Sequence, residues 1–114
     1  MTDARLTTAI RVSALIRRVN SEGGHATVLS KGDATGGAIL LILCERGRNQ
    51  RFFERTLDQN GAYRWGRTGG DPGEDHGAVA SFIERRRRID PDLWVVELDV
   101  AHPERFIDEP FMKD

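Results

Sequence analysis

Ala38-Ile-Leu-Leu-Ile-Leu-Cys44 is apolar at every position. Successive side chains on a strand point to opposite faces, so a strand with one wet face alternates apolar and polar residues. A short run with no polar member predicts a central strand covered on both faces of its sheet. Leu93 to Leu98 is apolar except for Glu97 and predicts a second strongly buried strand. Around this pair the rest of the chain falls into place. Gln50 to Leu57 and Ala62 to Arg67 read as strands joined by Asp58-Gln-Asn-Gly61, where Asn-Gly tolerates the positive φ of a hairpin turn. Glu45 to Asn49 reads as a polar turn, and His25 to Ser30 as a further strand.

Two helices complete the set. Ala14 to Glu22 carries Leu15, Ile16 and Val19 at helical spacing, with Ser13 as N-cap and Gly23-Gly24 as the stop. Thr68 to Gly73 reads as a glycine-rich loop, and Asp71-Pro-Gly-Glu74 resembles a capping box opening the second helix. Val79, Phe82 and Ile83 stripe that helix, which should end before Pro91. Residues 5–12 alternate: Leu6, Thr8, Ile10 and Val12 lie on one side. Period two favours a strand there, although Val12, Leu15, Ile16 and Val19 also fit one long helix from Thr8. The strand reading gives the order β-α-β-β-β-β-α-β. The expected fold is α+β: a mostly antiparallel sheet of five or six strands packed by two helices.

The chain has 114 residues, 39% of them hydrophobic and 31% charged. That suffices for one core without cross-links, so residues 1–114 read as a single domain. Cys44 is the lone cysteine, no leader stands at the start, and no apolar run approaches the ~20 residues that cross a bilayer. A cytoplasmic protein with no membrane partner is expected. Charge is unevenly spread: residues 1–89 hold 15 basic and 10 acidic side chains, and residues 90–114 hold 2 and 8. Residues 102–114 read as one short helical turn and then a loosely ordered acidic tail. Because the chain reverses after Arg88, the acids beyond Pro91 are expected beside Arg85 to Arg88. The alternative is that the strand from Leu93 carries them to the far end of the sheet.

Most chemistries fit poorly. Gly32-Asp-Ala-Thr-Gly-Gly37 has the glycine spacing of a phosphate loop, but Ala38-Ile39 stands where Lys-Ser/Thr should follow, and the loop enters a strand. His25, His76 and His102 lie far apart in sequence. Asp71, Glu74, Asp75 and His76 are dense, but acids at a helix start usually complement its dipole. Cys44 ends an apolar strand and reads as an inert small hydrophobe. Glu97 and Asp99 share one side of their strand and read as a solvated edge. No catalytic residue, metal or cofactor is assigned.

One surface pattern stands out. Arg51-Phe-Phe-Glu-Arg55 and Tyr63-Arg-Trp-Gly-Arg67 interleave aromatics and arginines on neighbouring strands. Phe53, Tyr63 and Trp65 would lie together with Arg51, Arg55 and Arg67 around them, a pattern that can hold a nucleic-acid strand. Arg85, Arg86, Arg87 and Arg88 add a basic helix end. The plainer readings are cross-strand packing for the aromatics and dipole complementation for the arginine run. The reading adopted is a non-enzymatic binding or protein-interaction module whose partner is another protein or a second copy. The alternative is a nucleic-acid or phosphate binder using the Arg-aromatic hairpin.

Arg11-Val-Ser-Ala-Leu-Ile-Arg-Arg-Val-Asn20, Gly23-Gly24, Val28-Leu-Ser-Lys-Gly-Asp33 and Gly36-Gly-Ala-Ile39 together resemble a family of short bacterial proteins, DUF1491, a domain of unknown function. Arg88-Ile-Asp-Pro-Asp-Leu-Trp-Val-Val-Glu97 and Phe106-Ile-Asp-Glu109 extend the resemblance over nearly the whole chain. It implies a stand-alone bacterial cytosolic protein and brings no activity, cofactor or site residue.

Overall fold

The computed structural model describes residues 6–113. Its elements run α1 (Thr8–Ser21), β1 (His25–Ser30), β2 (Ile39–Glu45), β3 (Arg48–Leu57), β4 (Tyr63–Gly73), α2 (His76–Ile89) and β5 (Trp94–Asp99). Two short 3₁₀ turns, Pro103–Asp108 and Pro110–Met112, follow. The five strands form one sheet in the order β1-β5-β2-β3-β4. Among the described residues only β2 and β5 pair in parallel, with Ile39 opposite Trp94 and Leu43 opposite Leu98. The other pairings are antiparallel, so the expected α+β sheet stands.

The two apolar runs lie side by side at the centre. Leu40 through Cys44, Leu93, Val95 and Val96 are buried, because both faces of the sheet are covered. Ile39, Leu41, Leu43, Trp94, Val96 and Leu98 meet Val12, Leu15 and Val19 of α1. On the other face, Leu40, Ile42, Phe52, Leu93 and Val95 meet Val79 of α2, with Phe82 and Ile83 at the margin. The Phe52 and Phe82 rings stack with centroids 4.3 Å apart.

The strand expected over residues 5–12 is not formed within the described residues; the first helix starts at Thr8. Thr8 and Val12 are buried whereas Ile10 is 51% exposed, which is helical spacing. The alternation misled because positions i and i+4 belong to both periods. Thr7 caps the helix, its hydroxyl accepting from the Ile10 amide, and Ser13 lies exposed inside it. Asp75 caps α2, accepting from the Ala78 amide at 3.0 Å, so the helix begins after the supposed capping box. β4 runs on through Gly73, and Glu74 accepts from the Asn49 amide instead.

The end of the chain also differs from expectation. Phe106 and Met112 are buried in the α1-side core, so residues 103–112 fold back over that face. Glu104 pairs with Arg51 and Glu109 with Arg18, so these acids meet arginines of the α1 side. Arg85 to Arg88 lie on α2, on the opposite face of the sheet from the core that Phe106 and Met112 join.

Candidate binding cleft

The loop with phosphate-loop spacing is a structural brace. Its Thr35 and Ala34 carbonyls accept from the Thr8 and Ala9 amides at 3.1 and 2.9 Å, and Thr8 donates its hydroxyl to Gly37 O at 2.7 Å. The amides that would grip an anion at the start of α1 are therefore already engaged. Gly32 and Gly37 lie so close to the Asp92 carbonyl that a Cβ would fall 2.1 and 2.4 Å from it. Trp94 Nε1 donates to Asp33 O at 2.7 Å, locking the loop onto the start of β5.

Beside this brace lies an open cleft of about 470 Å³. Leu6 and Thr7 bound it at the start of α1, Gly36 to Ile39 form its floor, and Arg55, Tyr63 and Trp65 form the opposite wall. Met112 closes one side. A second lobe of about 560 Å³ continues from Tyr63 and Trp65 to Ile107, Asp108 and Lys113. Two large apolar side chains of its lining stand out to solvent, Leu6 at 41% and Tyr63 at 62% exposed, and Leu57, 60% exposed, faces Tyr63 across the hairpin.

The hairpin itself forms as the Asn-Gly signal predicts. Asp58 accepts from the Asn60 and Ala62 amides, and Gly61 takes a φ of +81°. Register then decides what each candidate residue does. Phe53 faces Arg67 and Arg55 faces Trp65, so Arg51, Phe53, Arg55, Tyr63, Trp65 and Arg67 share the α1 side. Their roles differ. Phe53 is core. Arg51 is almost fully buried and donates in a fork to Glu104, with Nε and Nη2 at 2.7 and 2.9 Å, and further to Glu45 and the Asn49 carbonyl. Hydrogen bonding from Arg51 holds the Glu104 carboxyl below the usual carboxylate range. Trp65 donates its indole N–H to Met112 O at 2.8 Å, leaving its ring in the cleft wall. The Arg55 guanidinium lies over the Tyr63 ring, 5.1 Å from its centroid. Arg67 is half-exposed, 3.8 Å from Asp71.

Arg85 to Arg88 lie on the other side of the sheet. Arg86 pairs with Glu54, Arg88 with Glu84, and Arg85 lies over the Phe82 ring, while Arg87 is exposed. The structure thus joins Arg55, Tyr63 and Trp65 in one cleft and leaves the helix-end arginines behind the sheet. Sequence reasoning missed Leu6, the 36–39 segment and Met112. Choosing the helix from Thr8 would have shown that Leu6 and Ile10 fall outside the buried Thr8–Val12–Leu15–Val19 stripe.

Elsewhere, Asp99 is on a central strand and accepts from the Arg46 and Gly47 amides at 2.7 and 3.0 Å. It caps the β2–β3 turn, where a solvated edge was expected. Burial first, then the charges of Asp99 and Glu97, pushes the Cys44 thiol up to about 12. Among the described residues, no group of three or more His, Cys, Asp or Glu could hold a metal, and no helix is long and apolar enough to cross a membrane.

These features define a small α+β domain with a five-stranded sheet, a helix on each face and one aromatic-walled cleft. The chain belongs to the DUF1491 family of proteins of unknown function, whose model matches residues 6–108. It is similar to a DUF1491 protein from Caulobacter crescentus solved by crystallography: 37% identical, TM-score 0.78, with 92% of this chain and 97% of that one covered. An NMR structure of a DUF1491 protein from the same organism matches at 37% identity and TM-score 0.72, over 95% and 97% of the two chains. A protein from A. tumefaciens solved in solution matches at 32% identity and TM-score 0.70, over 86% and 88%. No curated protein matches the chain.

Proposed function

We propose that this protein is a non-enzymatic binding module of the cytoplasm, and that its cleft receives a segment of a partner protein. The observation that carries the reading is the cleft itself: an open, mostly apolar depression lined by Trp65 and by the exposed side chains of Leu6 and Tyr63. Large apolar side chains gathered on a surface mark interaction sites more often than singly scattered ones do. The groups whose titration is displaced, Cys44 and the ion-paired Arg18, Glu22, Arg51, Asp58, Arg86 and Glu104, lie outside the cleft lining. A buried, unpaired Cys44 suits a reducing compartment.

The alternative, a polyanion binder, draws on Arg55 with Tyr63 and Trp65. Against it, Arg51 and Arg86 are tied to carboxylates, and Arg85 to Arg88 lie behind the sheet. The test is selection from a displayed library of random peptides on the immobilised full chain, run beside its Tyr63→Ala variant. Peptides enriched on the wild type and lost on the variant are expected. A salt-sensitive band shift on mixed-sequence RNA, with no peptide enrichment, would instead establish the polyanion reading.

A further inference from the structure

We infer that the partner is a second copy of this chain, whose hairpin end at Leu57 and Tyr63 seats in the cleft while its own cleft takes the same residues of the first copy. This rests on the cleft reading above and names the partner. A two-fold dimer buries one patch against itself, so the patch must carry a projection and a depression side by side. The hairpin supplies the projection. Leu57 and Tyr63 are directly opposed in register, so both side chains stand on the α1 side, 60% and 62% exposed. Tyr63 also belongs to the cleft lining, which puts the projection at the edge of the depression. Both parts are held in place before any association. The Arg55 guanidinium lies over the Tyr63 ring, Asp58 pins the turn through the Asn60 and Ala62 amides, and the Met112 carbonyl holds the Trp65 indole. Little side-chain freedom is then lost on docking. A small ligand in the cleft leaves Leu57 in water, whereas a second copy covers Leu57, Tyr63 and Leu6 together.

Charge points to the same partner. Six charged residues line the two lobes: Arg11, Glu54, Arg55, Arg64, Asp108 and Lys113. Four are engaged within the chain. Glu54 is paired with Arg86 and Arg64 with Asp58, and Arg11 and Arg55 have partners of their own. Asp108 and Lys113 remain, both exposed and neither in an ion pair among the described residues. They line one lobe, one acid and one base, without meeting each other. A two-fold axis through the lobe sets Asp108 of each copy against Lys113 of the other, so the pair forms twice and no like charges are left facing. A net charge of −1 adds little repulsion between copies. The patch is also large enough. Fourteen residues line the first lobe and nine the second, four of them shared. With Leu57 that comes to the lower end of the roughly 20–30 residues a side of a standard interface.

The test is sedimentation equilibrium of the full chain over about 1 μM to 1 mM, a range that spans weak and moderate association. A reversible dimer is expected, with a dissociation constant on the order of micromolar or tighter. Leu57→Asp, folded by circular dichroism, should weaken it by about tenfold or more. Asp108→Lys and Lys113→Glu, both at exposed positions, should each weaken it by about fivefold, because each sets like charges across the axis twice. The double variant should recover the wild-type constant. Mixing the two single variants should give a heterodimer tighter than either homodimer, a result that only pairing between copies produces. A chain monomeric up to about 1 mM, or a dimer indifferent to Leu57→Asp, would overturn the inference. A dimer that answers to Leu57→Asp but not to the charge exchange would overturn the two-fold arrangement. In each of these cases, displayed peptides that are enriched on the wild type and lost on Tyr63→Ala would leave the cleft reading standing. Such peptides are further expected to dissociate the dimer, since both use one surface; peptides and dimer coexisting would overturn the second copy as occupant of the cleft. A monomer with no peptide enrichment would remove both readings.

Discussion

The two ends of the sheet are built from similar residues and treat them in opposite ways. At the end holding Cys44 and Asp99, polar and charged groups are consumed internally: Asp99 caps the β2–β3 turn, and Glu104 and Glu45 hold Arg51. At the end holding Ile39 and Trp94, Arg55 and Tyr63 stand at an open cleft with Leu6 exposed in its lining. Arg51 and Arg55 are four residues apart on one face of one strand, yet only Arg51 is buried. What separates them is the returning segment 103–112, which covers Arg51 and stops short of Arg55. An arginine's burial is thus set by a stretch of chain more than fifty residues away, and a local pattern of arginines and aromatics cannot report it.

The comparison can be broken first at Cys44. If that end is sealed, moving the thiol from 9.0 to about 12 lowers the thiolate population at neutral pH on the order of a thousandfold, and burial blocks the reagent as well. Native protein should therefore react with a thiol reagent only through opening, and denatured protein at once. Prompt labelling of the native chain would show the end to be open.

Next is the segment that does the sealing. Phe106 is 1% exposed, and Phe106→Ala should cost about 3–5 kcal/mol by urea unfolding. A cost below about 1 kcal/mol would return residues 102–114 to a loose tail.

Smaller is the ion pair itself. Glu104 is partly exposed, so Glu104→Gln should cost about 1–2 kcal/mol at neutral pH after allowance for solvent screening. The pH dependence has a definite sign. The Glu104 carboxyl titrates lower when folded than when unfolded, so its contribution is full above the ordinary carboxylate value and is lost as pH falls through the depressed folded value. The stability gap between wild type and variant should close in acid. A gap unchanged at low pH would mean that Glu104 acts through packing and not through charge.

Tyr63→Ala should change stability least, by under about 0.5 kcal/mol, because 62% of the residue is already exposed. A larger loss would make Tyr63 part of the scaffold and weaken the contrast between the ends.

Much of the fold was legible because its deciding signals are local. The runs at 38–44 and 93–98 can be read as central strands without knowing their partners, and Asn60-Gly61 fixes a turn by itself. Residues 8–12 were misread because burial at Thr8 and Val12 suits either period, and only the exposure of Ile10 decides between them. Asp71-Pro-Gly-Glu74 has the chemistry of a helix start, but tertiary pairing of Gly73 with Gln50 keeps the strand going. Of the site, the wall of Arg55, Tyr63 and Trp65 was visible as a cross-strand pattern. The floor and the side at Met112 come from segments that pairing cannot place, since no periodicity links Leu6 or Met112 to residue 63.

The contact between the Arg11 side chain and the Phe111 carbonyl spans 100 positions of sequence. A contact of such separation closes nearly the whole chain into one loop, at an entropic cost that grows only slowly with length. The cavity beside Tyr63 is therefore a property of the whole chain: its Met112 side and the carbonyl that holds the Trp65 indole both come from the last dozen residues.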